Sequence, residues 1–336
     1  MQDVADRAGV SVMTVSNVLT GRKLVSEPTR ATVLEAMEAL RYVPNIAARS
    51  LASAAPERIG VHFRDVENAF LSALVIGAVN ATSRLGAQML VGRWSSDPEA
   101  SPLNVLRQLV RSGAQGVLMA PPFCEALTVE EMAEFPNVAL IGLSTGETLP
   151  RLASVRIDDR QASFDMTSRL VALGHRRIGF IKGPPNHLSS GTRFDGYRQA
   201  LQSAGLEFEP SFVAEGELTF DSGLIATAKL LGGTVRPTAI LASNDDMAAA
   251  AINIAKEGGL RVPEDLSVAG FDDSPLAIRV VPKLSSVRQP VSQMAEQAIR
   301  LLIDQIRDPG GAQAMVTHMV DHQLIERDST GLAPGH

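Results

Sequence analysis

Residues 3–19, DVADRAGVSVMTVSNVL, read as a short helix, a tight turn and a second short helix. In the first, Val4, Ala5 and Ala8 recur at the spacing of one buried helical face. Gly9 stands where the chain must reverse, and glycine takes a positive φ without steric cost. Ser11 can cap the next helix by accepting a bond from an amide of its first turn. In that helix Val15, Val18 and Leu19 form an i, i+3, i+4 stripe for a core. Met13, Ser16 and Asn17 then lie on the opposite face, and Val12 projects from the first turn. Two small helices joined this way form a helix-turn-helix, whose second helix enters the major groove of DNA. The outward face of residues 12–17 is the expected contact with base edges.

Ser26-Glu27-Pro28-Thr29 is a helix start: a capping Ser, an acidic residue and a Pro inside the first turn. Val33, Leu34, Met37 and Leu40 are expected to continue that helix on one face. Pro44-Asn45 breaks the chain, and residues 46–52 follow as a very short helical candidate. So few residues rarely hold a helix alone in water, so this one should form only against a partner. A short Ser/Ala/Pro linker, Ala52 to Pro56, comes next.

Beyond it the texture changes. Strand-like runs at Ile59–Phe63, Met89–Val91, Val117–Ala120 and Val138–Leu143 alternate with helices expected over about 69–85 and 102–112. A second series begins near Val155, with strands at Ile178–Ile181, near Val213, Ala239–Ala242 and Leu266–Phe271. Its helices are expected over 161–173, 192–204, 221–231 and 245–257. Ser285–Pro290 and a helix over 291–307 should cross back to the first series. Runs spaced by ten or more helical residues indicate parallel strands covered by helices. Two such series in tandem suggest two doubly wound lobes, and ligands bind such sheets outside the carboxyl ends of the strands. The polar residues of those loops are Arg193, Asn244, Asp245, Asp272, Asp273 and Gln289, an arginine with carboxylates and amides suited to hydroxyls or a carboxylate.

The 336 residues are ample for more than one domain, with 45% apolar and 20% charged residues as in ordinary soluble proteins. Cys124 alone excludes an intrachain disulfide and suits a reducing cytoplasm; it is expected as a small core residue. No basic start followed by an apolar run marks a signal peptide, and no apolar stretch is long enough to span a bilayer. That argues against an exported binding protein and for a cytoplasmic location. No H-E-x-x-H, G-x-S-x-G, Walker loop or metal-spaced Cys/His cluster appears, so no catalytic residue, metal or cofactor is expected. His175, His318 and His322 have packing or surface explanations. The net charge is −6, and residues 1–51 carry six basic and five acidic side chains, so nucleic acid would not be inferred from bulk charge.

Residues 2–51 resemble the DNA-binding headpiece and hinge of the lactose-repressor (LacI/GalR) family of bacterial transcription regulators. DVADRAGVSVMTVSNVL, VSEPTRATVLEAMEALRYVPN and AARSL carry the likeness, which continues in order through ALGHRRIGFIKGPP, GYRQALQSAG, SNDDMAAAAI, VAGFDD and LSSVRQP. It implies an all-α helix-turn-helix headpiece plus hinge helix. An α/β periplasmic-binding-protein-like core of two doubly wound parallel-sheet lobes should follow. The implied boundaries are 1–44 for the headpiece, 45–57 for hinge and linker, and 58–330 for the core. Within the core the first lobe takes about 58–154 and 288–316, the second about 155–287 and 317–328, with the final strands shared.

The resemblance further implies a transcription regulator, a repressor by type, acting as a homodimer on a palindromic double-stranded operator and switched by a small effector such as a sugar. Val12, Met13 and Asn17 match base-reading positions, where Asn can bond an adenine and Val or Met can meet a thymine methyl. With them the implied DNA contacts are Thr14, Ser16, Arg22, Asn45, Arg49 and Leu51. In relatives the leucine at the position of Leu51 is inserted into the minor groove and kinks it. The implied effector contacts are Phe70, Arg193, Asn244, Asp272 and Gln289, with Leu218 at a position where many relatives carry an aromatic. Trp94, just past Met89–Val91 at the same end of the first lobe, is a further candidate by position: its ring could stack on a sugar face or planar ligand, or cover the core or a dimer partner. Relatives also have a few residues before Asp3, including a capping Thr, so the true start is expected upstream or the cap is missing. No heptad helix follows Thr330, which favours a dimer over a tetramer. The competing reading is a cytoplasmic small-molecule sensor without action on DNA.

Overall fold

Local chemistry sets the first turn of the chain. In the computed structural model, which describes residues 2–20, 25–40, 56–64, 68–94, 101–150, 152–309 and 316–335, helix α1 (Gln2–Ala8) ends at Gly9 with φ +64°. Helix α2 (Val12–Thr20) starts where the Ser11 hydroxyl accepts the Thr14 amide at 3.1 Å, the capping bond expected of that serine. Helix α3 (Glu27–Ala39) closes a small core of Val4, Ala5, Val15, Val18, Val33 and Ala36. One expectation fails in α3: Leu34 and Leu40 are exposed, and Ala36 joins Val33 and Met37 on the buried face. A small residue lets α3 approach α1 and α2 closely, which a leucine stripe would not.

The chain divides into two compact units, Met1–Pro56 and Glu57–His336. The second unit holds two six-stranded sheets. In the first, β1 (Arg58–Arg64) lies between β2 (Gln88–Trp94) and β3 (Gly116–Met119), with β4 (Ala139–Leu143) and β5 (Ala153–Arg156) beyond. In the second, β6 (Ile178–Lys182) lies between β7 (Val213–Glu215) and β8 (Ala239–Ala242), followed by β9 (Ser267–Asp272) and β10 (Ser285–Arg288). These pairings are all parallel. The two sheets therefore share one winding, whose switch points fall beside β1 and β6.

Helices α4 (Ala69–Leu85), α5 (Pro102–Arg111), the short α6 (Phe123–Ala126) and α7 (Val129–Ala133) belong to the first series. Helices α8 (Asp159–Ala172), α9 (Leu188–Ser203), α10 (Phe220–Leu231) and α11 (Asp245–Glu257) belong to the second. In α5, Leu103, Leu106 and Leu109 are buried on one face, each contributing roughly 1.5–3 kcal/mol. Helix α12 (Val291–Arg307) crosses back and buries Met294, Ala298, Ile299 and Leu302 against α4 and the first sheet.

The lobe limits differ from expectation at two places. Ala153–Arg156 is the fifth strand of the first sheet rather than the start of the second series. Thr317–Met319 (β11) pairs with it in parallel, so the shared tail reaches the first sheet before β12 (Gln323–Ile325) pairs antiparallel with β10. A three-residue strand carries too little pattern to reveal which sheet claims it.

A polar cleft at the strand ends and an exposed recognition face

Six of the seven expected effector residues line one cleft: Phe70, Arg193, Leu218, Asn244, Asp272 and Gln289. Its space, open mouth included, is about 700 Å³. Phe70 comes from the first turn of α4, whose start is fixed by Asn68 accepting the Leu71 amide at 2.9 Å. Leu218, held at φ +61°, Asn244, Asp272 and Gln289 come from the ends of β7, β8, β9 and β10.

Arg193 is 6% exposed and thoroughly tied. Its Nε donates to Asp159 Oδ1 at 2.7 Å, its Nη1 to the Ser243 carbonyl at 2.6 Å, and its Cζ lies 3.6 Å from the centroid of the Phe271 ring. Asn244 is equally committed. Its oxygen caps α11 by accepting the Met247 amide at 3.0 Å, and its nitrogen donates to the Leu218 carbonyl at 2.9 Å. Asn244 thus sets the loop that aims Leu218. The Gln289 amide donates to Asp272, and its oxygen accepts from Ser144 of the first lobe at 3.4 Å. Burial pushes the Asp272 carboxyl well above the usual range, nearby Asp245 adds to this, and Arg193 opposes it.

Trp94 is the exception, and strand parity explains it. It is paired with Arg64 and shares the His62 face of the sheet, where its ring meets Phe123 edge-on at 5.3 Å. Phe63, on the other face of β1, lines the cleft instead.

The sequence reading missed Ser144, Pro121, Ser189 and Glu217, all lining residues. The strand-end rule would have found Ser144 and Pro121 once β3 and β4 were placed. It also missed a carboxylate that clasps the opposite lobe. Glu125, after β3, accepts from Leu188 N at 2.9 Å and Gly146 N at 3.3 Å. Leu188 opens α9 of the second lobe, and the dipole at a helix N-terminus favours an anion.

In the first unit Val12 and Met13 are exposed, Met13 by 68%, and Thr14 and Asn17 are half-buried. Ser16 lies on α2 but its side chain is outside the described residues, as is that of Leu19. Arg22, Asn45, Arg49 and Leu51 are outside them altogether. His175 is buried and bonded to Thr238 and Ser267, which makes it part of the packing; His322 bonds Asp165 at 2.9 Å. No described helix is long and apolar enough to cross a membrane.

A helix-turn-helix unit and a two-lobed core with a strand-end cleft define a DNA-binding regulator of the ligand-responsive class. The model for bacterial regulatory proteins of the lacI family matches residues 1–45, and that for a periplasmic binding protein-like domain matches residues 167–330. Catabolite control protein A of Priestia megaterium is 34% identical over 332 residues, 98% of each chain. Among solved structures, the transcriptional regulator CelR–cellobiose complex aligns with a TM-score of 0.73 at 30% identity, covering 98% of each chain. A lac repressor dimer bound to operator and the anti-inducer ONPF gives 0.75 at 26% identity, with the same coverage. The chain belongs to the lacI family of bacterial regulatory proteins; its relatives are transcription regulators, not enzymes.

Proposed function

We propose that this regulator is a cytoplasmic homodimeric repressor whose affinity for a palindromic operator is switched by a sugar-like effector held in the cleft. The observation that carries the proposal is the convergence of Phe70, Arg193, Leu218, Asp272 and Gln289, distant in sequence, around one cleft. Cellobiose in the CelR structure and ONPF on the lac repressor are the effector chemistry found on similar chains. On this reading Val12, Met13 and Asn17 read bases, with Thr14, Ser16, Arg22, Asn45 and Arg49 supporting them, and Leu51 opens the minor groove. Residues 1–44 would be the headpiece, 45–57 the hinge and 58–330 the core.

A helix-turn-helix reads few base pairs alone, so a two-fold dimer on a two-fold site supplies the required specificity. Effector contacts from both lobes give the ligand a differential affinity for their two arrangements, the requirement for any switch. A mobility-shift assay with genomic fragments is the test. A salt-sensitive, sequence-selective complex whose affinity changes with a cleft ligand is expected. Absence of any selective complex, with or without ligand, would overturn the regulator reading and leave a sensor that does not act on DNA.

A further inference from the structure

Among the described residues, the cationic side chains at and near the cleft are already engaged. Arg193 is the arginine among the described lining residues, and the fully buried Asp159 carboxylate lies against its Nε at 2.7 Å. Three cations at neighbouring strand ends are engaged elsewhere. Arg156 donates to the Gly146 and Ile157 carbonyls at 3.2 and 3.3 Å, Lys182 sits 5.1 Å over the Phe194 ring, and Arg288 pairs with Asp273 at 2.6 Å. The acidic side is not matched in this way. Asp272 and Glu217 both line the cleft, and Asp246 stands beside Asn244 with its Oδ2 3.4 Å from the amide nitrogen. The remaining lining is amide, hydroxyl, imidazole and apolar: Gln289, Asn244, Ser144, Ser189 and His187 against Phe63, Phe70, Leu71 and Leu218.

We propose that this cleft selects an uncharged, polyhydroxylated effector and rejects the phosphorylated and carboxylated forms of the same molecule. The proposal rests on the reading of the cleft as the effector site. Hydroxyls both donate and accept, so they can satisfy the carboxyl of Asp272, the amide of Gln289 and the guanidinium of Arg193, all of which line the cleft. Phe70 and Leu218 offer apolar surface to the C–H face of a pyranose. A phosphate has no such fit. It would lose its hydration in a site whose lining arginine is already paired with Asp159, and it would bring its charge beside the Glu217 carboxylate. Glu217 is the specificity residue on this account, since it lines the cleft and its side chain is exposed to an incoming ligand.

Thermal-shift and calorimetric titrations of the full chain at fixed ionic strength should use matched sets: glucose, glucose 6-phosphate and gluconate, then ribose and ribose 5-phosphate, then cellobiose and cellobionate. In any set with a binder, the neutral member should bind at least tenfold more tightly. Glu217→Gln should narrow that gap several-fold without changing the melting temperature of the free protein. A charged member that binds as well as its neutral parent would overturn the inference while leaving the cleft an effector site. Silence across all the sets would overturn the effector-site reading for sugars, and the inference with it.

Discussion

At Gly146 the two lobes meet backbone to backbone, and a single methyl there should pry them apart. A Cβ at Gly146 would lie 2.1 Å from Ser189 N and 2.3 Å from the Leu188 carbonyl carbon, both backbone atoms that no side-chain rotation can move. Gly146→Ala must therefore shift the loop after β4 away from the N-terminus of α9. The shift breaks the Glu125 clasp, whose bonds to Leu188 N and Gly146 N are 2.9 and 3.3 Å. A hydrogen bond to a charged group contributes about 1.5–3 kcal/mol, so losing the shorter bond and weakening the longer disfavours the closed arrangement by about 2–4 kcal/mol. At 1.4 kcal/mol per tenfold, that is a loss of roughly 30- to 700-fold in affinity for any ligand that needs both lobes. Hydrogen exchange across residues 185–195, with titration of a cleft ligand, measures both effects. Exchange there should speed up by tenfold or more while peptides from β1 and β3 keep their protection. Unchanged exchange together with ligand affinity within threefold of the parent would refute the idea that this contact holds the lobes closed.

Arg193→Ala leaves Asp159 fully buried without its partner and should cost about 3–5 kcal/mol in urea unfolding; a loss below about 1 kcal/mol would mean that the pair adds little. His62 is buried against Phe123 with both ring nitrogens unpartnered, and burial depresses its pKa from 6.5 to about 3. The unfolded chain then takes up a proton that the folded chain refuses, so this residue lowers stability as pH falls between those values, by at most about 1.4 kcal/mol per pH unit. His62→Leu should flatten that part of the stability–pH curve, as chemical denaturation from pH 7 to 4 would reveal. In the first unit, Val15→Ala should lower stability by about 2 kcal/mol, because Val15 is fully buried. Met13→Ala, at an exposed position, should leave the melting curve in place and weaken operator binding in a mobility shift.

The elements that were legible in the sequence are those with long periodic patterns. Helices over residues 245–257 and 291–307 carry apolar residues on a face wide enough to fix their limits, and they occur where expected. Arg193, Asp272 and Gln289 were legible because ordered motifs surround them and strand ends gather side chains. Trp94 was misread because only its distance from a strand end was weighed, whereas strand parity turns it to the other face. The Glu125 clasp was not legible at all. Its carboxylate meets a backbone N–H of the opposite lobe, and backbone donors leave no trace in residue type. Gly146 carries no mark in the sequence for the same reason: what it avoids is the backbone of a helix that starts more than forty residues later.

Charge completes the account of how DNA recognition must be shared. Residues 1–51 hold six basic side chains, Arg7, Arg22, Lys23, Arg30, Arg41 and Arg49, against five acidic ones. Each neutralised phosphate contributes about −0.9 to the slope of log K against log salt, so one headpiece can supply a slope of at most about −5 and a pair about −11. The rest of the chain is net acidic and adds repulsion rather than contacts. Low phosphate attraction means weak non-specific binding, which leaves affinity to the apolar and amide contacts of Val12, Met13 and Asn17 and to pairing of two chains. The full-length protein should therefore show a shallow salt dependence, far from that pair limit, and a steep dependence on protein concentration below the dimerisation constant. A slope steeper than about −11 would require phosphate contacts from beyond residue 51 and would refute this division of labour.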